Sequence, residues 1–433
     1  MSHPASGRRR FLGNLGGRAA ALAVLPLPLS HISLHGSPPK PLPIAPPAGP
    51  DESYWALVRA QFPIREGLVP LNAANLCPAP RSVIDAVQRA AADVDGDVSF
   101  QNRAKYDALR ERAREGLAGY LGASADEIAI VRNTTEANNT IVGGLPLGRG
   151  DEVVVFDQNH PTNNIAWDVG AARYGYTVRR VSAPPDPGTP AALADRFVAS
   201  VGSRTRVLAL TEVSNTIGLR LPVAAICGAL RGRGVHVHVD GAQTFGSMRV
   251  DLHAMECDSY AGSAHKWFVG PKEAGVLYVR ADRVPAVWAN LVGHVWGDRV
   301  DPAPKGARKF ETLGQRNDAT LAGIGPALAL HHAIGPAAVE ARIAELAERL
   351  KSGLARIPGA ALVTPRAPAL SHGVVVTRFA GRDTAALYET LYRDHGIAGA
   401  PTGGLRFCPH VHNTLDEIDR TIAAVTALAG ARS

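Results

Sequence analysis

Cysteine is scarce. Cys77, Cys227, Cys257 and Cys408 are the four in 433 residues. They are widely spaced and form no Cys-x-x-Cys pair, which argues against a zinc framework and favours buried thiols. Acidic residues are missing altogether from positions 1–50, which hold Arg8, Arg9, Arg10, Arg18 and Lys40. Those cations account for most of the formal charge of +7, and the remaining body is close to neutral. It lacks the electrostatic footprint of a nucleic-acid binder, so no nucleic-acid partner is expected. A long uninterrupted apolar run is also lacking near the N-terminus. Arg18 and several glycines break the Ala/Leu/Val stretch that reaches about Leu29, which leaves it too short for a stable membrane span.

What is present is an ordinary globular composition, 46% hydrophobic and 20% charged. The length suffices for a large core and two domains. Arg8-Arg9-Arg10-Phe11-Leu12 followed by a weakly apolar region resembles a twin-arginine export signal. Residues 1–36 are therefore expected to engage the twin-arginine machinery and direct the chain to the periplasm or outside. Residues 37–50 (SPPKPLPIAPPAGP) read as an extended linker.

From about residue 125, short apolar runs alternate with helix-like segments. Strands are expected at 127–132, 152–156, 177–181, 206–211, 235–239, 259–262 and 275–279. Amphipathic helices are expected at 138–144, 164–174 and 223–232. This alternation predicts an α/β fold with a mostly parallel seven-stranded sheet covered on both faces. After Leu321 the pattern changes. Helices at 336–357, 383–392 and 415–430 flank strands at 361–364 and 373–379, which predicts a smaller C-terminal α+β domain. The expected division is an arm at 51–81, a large domain at 82–320 and a small domain at 321–433. No internal repeat is evident.

Several residues carry chemistry. Lys266 lies in Ser263-Ala264-His265-Lys266-Trp267, a small-residue turn closing a strand. A lysine there, neutral through burial, is able to form an imine; Lys272 reads instead as a surface lysine. Asp240 ends the run Val235–Val239, in the crevice where α/β sheets bind ligands. Taken alone it is as well read as a helix cap. Gln243 follows three residues later. Arg132-Asn133-Thr134-Thr135-Glu136 opens a helix, a place suited to phosphate and equally to an ordinary N-cap. Ser263 and His265 are near enough in sequence to join it. His160, in Asn159-His160-Pro161, follows another strand and is a candidate to stack on a ring. Imine lysine, ring carboxylate, phosphate cradle and stacking group are together what pyridoxal 5′-phosphate requires of a protein.

These residues resemble the class V aminotransferase family of fold-type I pyridoxal phosphate enzymes, which includes cysteine desulfurases and isopenicillin N epimerases. The likeness runs from about Val69 to Asp419. It is carried by SAHKWFVGPKEAGVLYV (263–279), HVDGAQ (238–243), NTTEANN (133–139), Asn215 in SNTIG, and LRFCPHVHNTLDEID near the end. The resemblance implies that Lys266 forms the imine. It implies that Asp240 meets the pyridine nitrogen, Gln243 the phenolic oxygen, and His160 the ring face. Thr134 or Thr135, Ser263 and His265 would hold phosphate, Asn215 would lie near the phenolic oxygen or substrate, and Arg406 would grip an α-carboxylate. A homodimer is implied, with residues 311–316 (ETLGQR) reaching the neighbouring phosphate. Gly314-Gln315 replaces the Gly-Thr that relatives often carry, which puts that contact in doubt.

Cysteine desulfurases carry a nucleophilic cysteine on a loop before the arginine. Here 396–404 (GIAGAPTGG) has none, so persulfide transfer is not expected, and the chain looks nearest to the epimerase-like members. An amino-acid substrate handled at Cα is the expectation, with epimerisation or racemisation first, then β-elimination as a C–S lyase, or transamination. Two readings of other classes compete. One is a non-catalytic binding protein on the same fold. The other is a metal-dependent hydrolase using His236, His238 and Asp240, which alternate on one strand. Trp267, His294, Trp296 and Arg316 are further candidates to shape the pocket.

Overall fold

The computed structural model describes residues 50–293 and 304–430. His294 and Trp296, and the expected export signal at 1–36, lie outside the described residues.

Runs such as Val153-Val154-Val155-Phe156 are buried on both sides, as the strands of a covered parallel sheet must be. Seven strands form that sheet: β1 (Ile128–Val131), β2 (Glu152–Phe156), β3 (Thr177–Val181), β4 (Thr205–Thr211), β5 (His236–Asp240), β6 (Ser259–Ser263) and β7 (Gly275–Val279). Their order is β1-β7-β6-β5-β4-β2-β3. β7 is antiparallel to both neighbours, and every other pair is parallel. Successive side chains enter different cores. Val154, Leu208, Val237 and Tyr260 face one side, while Val155, Val207, Ala209 and Ala261 face the other. Each buried branched side chain contributes about 1.5–3 kcal/mol of transfer free energy.

A second sheet is antiparallel, with β8 (Ala360–Leu362), β9 (Val375–Phe379) and β10 (Leu405–Phe407) in the order β10-β9-β8. Helices Pro336–Leu354 and Leu415–Gly430 cover it through Leu346, Leu350, Ile418 and Val425. Pro336 occupies the first turn, where no amide proton is required. Val69–Pro70 pairs in parallel with Ile397–Ala398. Tyr54, Trp55 and Val58 of the helix Glu52–Ala60 pack in one cluster with Ile343, Val374 and Trp267.

Strand β1 lies at an end of the large sheet, and side chains satisfy its open backbone edge. Glu311 Oε2 accepts from the Ile130 amide at 2.6 Å. Arg316 Nη2 donates to the Ile130 carbonyl at 2.9 Å, and Arg114 Nη1 to the Ile128 carbonyl at 2.7 Å. Arg114 is fully buried and pairs with Glu311.

Two helices of the large domain begin earlier than the sequence suggests. The helix expected from 138 begins at Thr134, and the one expected from 164 begins at Pro161. Capping explains both. Asn133 Oδ1 accepts the Glu136 amide, and His160 Nδ1 accepts the Thr162 amide, so polar first turns are helical without an apolar face.

Candidate active site

The loops after β1, β2, β4, β5 and β6 leave the same end of the sheet, because those strands run in one direction. They bring most of the candidate residues together.

Lys266 is half-buried in the turn after β6. The Gly270 amide returns to the Ala264 carbonyl, and Val269 takes a left-handed φ of 49°. That conformation is costly for a β-branched residue and here closes the turn tightly behind the lysine. Trp267 anchors the turn: its indole donates to Gln243 Oε1 at 2.8 Å, and its carbonyl meets His410 Nε2 at 2.8 Å. Burial pushes the Lys266 ammonium below the usual lysine range; Asp240 opposes that shift and Arg406 adds to it. A neutral amine is the form that attacks an aldehyde.

Asp240 ends β5 and is almost wholly buried. It accepts from Asn138 Nδ2 at 2.9 Å, Asn163 Nδ2 at 3.3 Å and the Ala242 amide at 3.1 Å. Neutral donors on a buried carboxylate favour its ionised form. Asn138 and Asn163 were not among the residues singled out from sequence. Asn138 lies one helical turn beyond Thr134 and so shares its face, a signal that helical spacing carries.

Thr134 Oγ1 and Ser263 Oγ lie 2.7 Å apart, and the Thr134 amide donates to the same Ser263 oxygen at 2.9 Å. The first turn of helix Thr134–Gly144 is thus brought against the end of β6, forming a hydroxyl pair at a helix N-terminus. Gly275 permits this approach, since a Cβ there would lie 2.6 Å from the Gly262 carbonyl and 2.9 Å from Asn133 Cα. Thr135, by contrast, is exposed. His265 is half-buried, and burial aided by Lys266 and Lys272 lowers its imidazole to about 4.

His160 caps helix Pro161–Tyr174 with Nδ1 held 2.8 Å from Thr162 Oγ1. Burial lowers its basicity, Lys266 lowers it further, and Asp240 opposes both. Gln243 donates to the Ala74 carbonyl at 3.2 Å, so its amide is held on both sides. Asn215 is buried, and its carbonyl accepts from Arg406 Nη1 at 2.9 Å. Arg406 Nη2 donates to Asn72 Oδ1, while its buried Nε has no partner among the described residues.

The metal reading of β5 meets a different arrangement. His236 and His238 both bond Ser259 Oγ at 2.8 Å, and His238 also bonds Asn138. Their ring nitrogens on this side are used in hydrogen bonds. Among the described residues the Cys/His grouping with ligand-like proximity is Cys77, His410 and His412. There both His410 nitrogens are engaged, by the Trp267 carbonyl and the Val411 amide, and burial keeps the Cys77 thiol protonated. All four cysteines are buried, free thiols.

The donor set fits pyridoxal phosphate: a desolvated lysine, a buried carboxylate three donors deep, a hydroxyl pair at a helix N-terminus, and an arginine with a spare buried donor. Arg316, offered as a pocket residue, binds the edge of β1 through Nη2 and lines a pocket with Arg132 and Gln315, its buried Nη1 without a hydrogen-bond partner among the described residues. Glu311 of the same segment also binds the edge of β1.

Comparison with known proteins agrees. Residues 71–416 match the family described as Aminotransferase class-V. The chain is similar to isopenicillin N epimerase of Amycolatopsis lactamdurans, at 33% identity over 87% of this chain and 98% of that one. Its identity to the Streptomyces clavuligerus isopenicillin N epimerase is 31% at the same coverage. A Klebsiella pneumoniae cysteine desulfurase is 30% identical over 85% of this chain and 96% of its own. Among solved structures, a cystine C–S lyase in complex with its product cysteine persulfide superposes with a TM-score of 0.77. It is 26% identical, over 86% of this chain and 99% of that one.

Proposed function

The chain belongs to the class V aminotransferase family of pyridoxal phosphate enzymes, and from that premise we propose that it inverts or otherwise remodels an amino acid at Cα, in the manner of an epimerase or racemase. When bound, the cofactor supplies an electron sink for the bond broken at Cα.

The chain's own residues do the rest. Lys266 anchors the cofactor and, once freed, takes or returns the Cα proton as general base and acid. Asp240, positioned by Asn138, Asn163 and the Ala242 amide, would meet the ring nitrogen and keep a proton on it. Thr134 and Ser263, with His265, bind phosphate. His160 packs the ring, and Gln243 and Asn215 border its phenolic side. Arg406 orients the substrate carboxylate with its fork geometry. The observation that carries the reading is the buried Arg406 Nε, unpartnered among the described residues, whose guanidinium acts electrostatically on Lys266.

A second reading, β-elimination by a C–S lyase, is favoured by the likeness to the cystine lyase. Persulfide transfer finds less support, because the loop 396–404 has no cysteine and Cys408 is buried on the far side of Arg406 in sequence. The test is incubation with L- and D-amino acids and S-substituted cysteines while following chirality, keto acid and pyruvate together. Inversion without pyruvate is expected; pyruvate from the cysteines overturns it in favour of elimination.

We further propose that the enzyme is homodimeric, and is exported already loaded by the twin-arginine route, which carries folded proteins. Support comes from the order of arginines, apolar stretch and proline-rich linker in positions 1–50. No helix among the described residues is long and apolar enough to cross a membrane. Replacing Arg8 and Arg9 with Lys in a reporter fusion should stop export.

A further inference from the structure

The bonds around β5 have a direction. Asn138 donates through Nδ2 to Asp240 Oδ2, at 2.9 Å. Its Oδ1 is left for His238 Nε2, also at 2.9 Å. An amide oxygen only accepts, so Nε2 of His238 carries the proton. Burial keeps this imidazole neutral, near 3 against an ordinary value of 6.5, so its Nδ1 must accept. It accepts from Ser259 Oγ at 2.8 Å. With its proton committed there, Ser259 accepts in turn from His236 Nε2 at 2.8 Å. Every donor in the row His236, Ser259, His238, Asn138 therefore points toward one carboxylate.

A row of this kind is not needed to fill space. Replacing buried bonded partners with apolar groups of the same shape is often nearly neutral for stability. Alignment does have an electrical effect: each bond polarises the next, by about 10–30% per bond. Donation to a carboxylate favours its ionised form. A second, shorter arm runs the same way, from Trp167 Nε1 to Asn163 Oδ1 at 3.0 Å and from Asn163 Nδ2 to Asp240 at 3.3 Å.

We propose that the hydrogen-bond row His236–Ser259–His238–Asn138 is a positioning relay that aims Asp240 at the cofactor's ring nitrogen, with His238 setting the polarity of the row. The inference rests on the assignment of Asp240 to that nitrogen. It gives the paired histidines, which resemble metal ligands in sequence, an electrostatic role.

The test uses holoenzyme loaded with pyridoxal phosphate carrying ¹⁵N in the ring, in the wild type and in His238→Leu, His238→Gln and Ser259→Ala. Gln presents an amide N–H to Asn138 and an oxygen to Ser259, so it preserves the direction that Leu abolishes. The ring-nitrogen resonance should be that of a protonated pyridine in wild type and His238→Gln. In His238→Leu it should move toward the unprotonated position, with cofactor dissociation increased about tenfold, the loss expected for one bond to a charged group. Ser259→Ala should move the same way, and it decides the question alone if His238→Leu does not fold. An unmoved resonance in Ser259→Ala, or in a folded His238→Leu, reduces the row to packing and overturns the relay. An unprotonated ring in the wild-type holoenzyme overturns the assignment of Asp240 as well.

Discussion

Arg406 Nη2 lies 2.9 Å from Asn72 Oδ1, which joins a strand of the small sheet to a segment that precedes the large one. The adjacent Cys408 and Asn72 form a parallel bridge, so backbone and side chain fix the same junction. An arginine aimed from two sides loses little entropy when a carboxylate arrives, and its geometry is what a lysine cannot reproduce.

Arg406→Lys keeps the charge and discards the fork. We expect kcat/KM for α-amino acids to fall about 100-fold, near 2.7 kcal/mol, while cofactor absorbance is unchanged. Amines lacking the carboxylate should lose far less in the same steady-state assay. An equal loss for both would show that Arg406 acts on folding or cofactor binding.

Lys266→Ala should remove the visible absorbance band and lower turnover by roughly 10²–10⁴-fold, the usual contribution of a positioned acid–base group. The melting temperature of the cofactor-free protein should not fall, since burial already destabilises the ammonium at this position. Absorbance and calorimetry on one preparation check both.

Gly275→Ala places a methyl group into the Gly262 carbonyl and Asn133 backbone. The turn carrying Thr134 must retreat from Ser263. Overpacking of this kind costs about 1–3 kcal/mol. With phosphate assigned to that turn under the proposed function, cofactor affinity should drop along with stability. Equilibrium dialysis that finds unchanged affinity would place the phosphate elsewhere.

Buried histidines make the fold acid-sensitive. Burial lowers His236, His372 and His410 to about 4, and His238 and His331 to about 3. Above about pH 6.5 both folded and unfolded chains hold these imidazoles neutral. As pH falls below that value, the unfolded chain binds protons that the folded one refuses. Stability is lost down to the folded values, by up to about 1.4 kcal/mol per unit for each histidine. The melting temperature should be level from about pH 7 to 8 and decline below about 6.5. His372→Gln, which keeps a donor for the Ser247 carbonyl now bonded to His372 Nε2, should show a shallower decline.

Sequence carried the strands well and the site in part. Three of the seven large-sheet strands match their expected bounds to the residue: Glu152–Phe156 and Gly275–Val279 are buried apolar runs, while Thr177–Val181 is a largely exposed strand at the sheet's end. Lys266, Asp240, Thr134 and Ser263 were legible because strand ends in such a sheet converge on one edge. Asn138 and Asn163 were not singled out. Their partner Asp240 lies 102 and 77 positions away, and nothing local to an asparagine in a helix announces a carboxylate beyond it. His236 and His238 were read as possible ligands for the same reason: alternation shows a shared face, and only Ser259, on the neighbouring strand, reveals what that face holds. Glu311 and Arg316 were read through the resemblance as reaching a phosphate or lining the pocket. Within one chain, Glu311 and Arg316 Nη2 are committed to Ile130, and Arg316 Nη1 is left without a hydrogen-bond partner among the described residues.

That commitment matters beyond the folded monomer. A terminal strand with free amides and carbonyls is a template on which another chain can add a strand. Where Glu311, Arg316 and Arg114 occupy those groups, an incoming strand would first have to displace an ion pair and a buried guanidinium. The sheet thus ends in chemistry that resists propagation, and a crowded solution of these molecules has no ready zipper along β1 from which fibrous aggregates could grow.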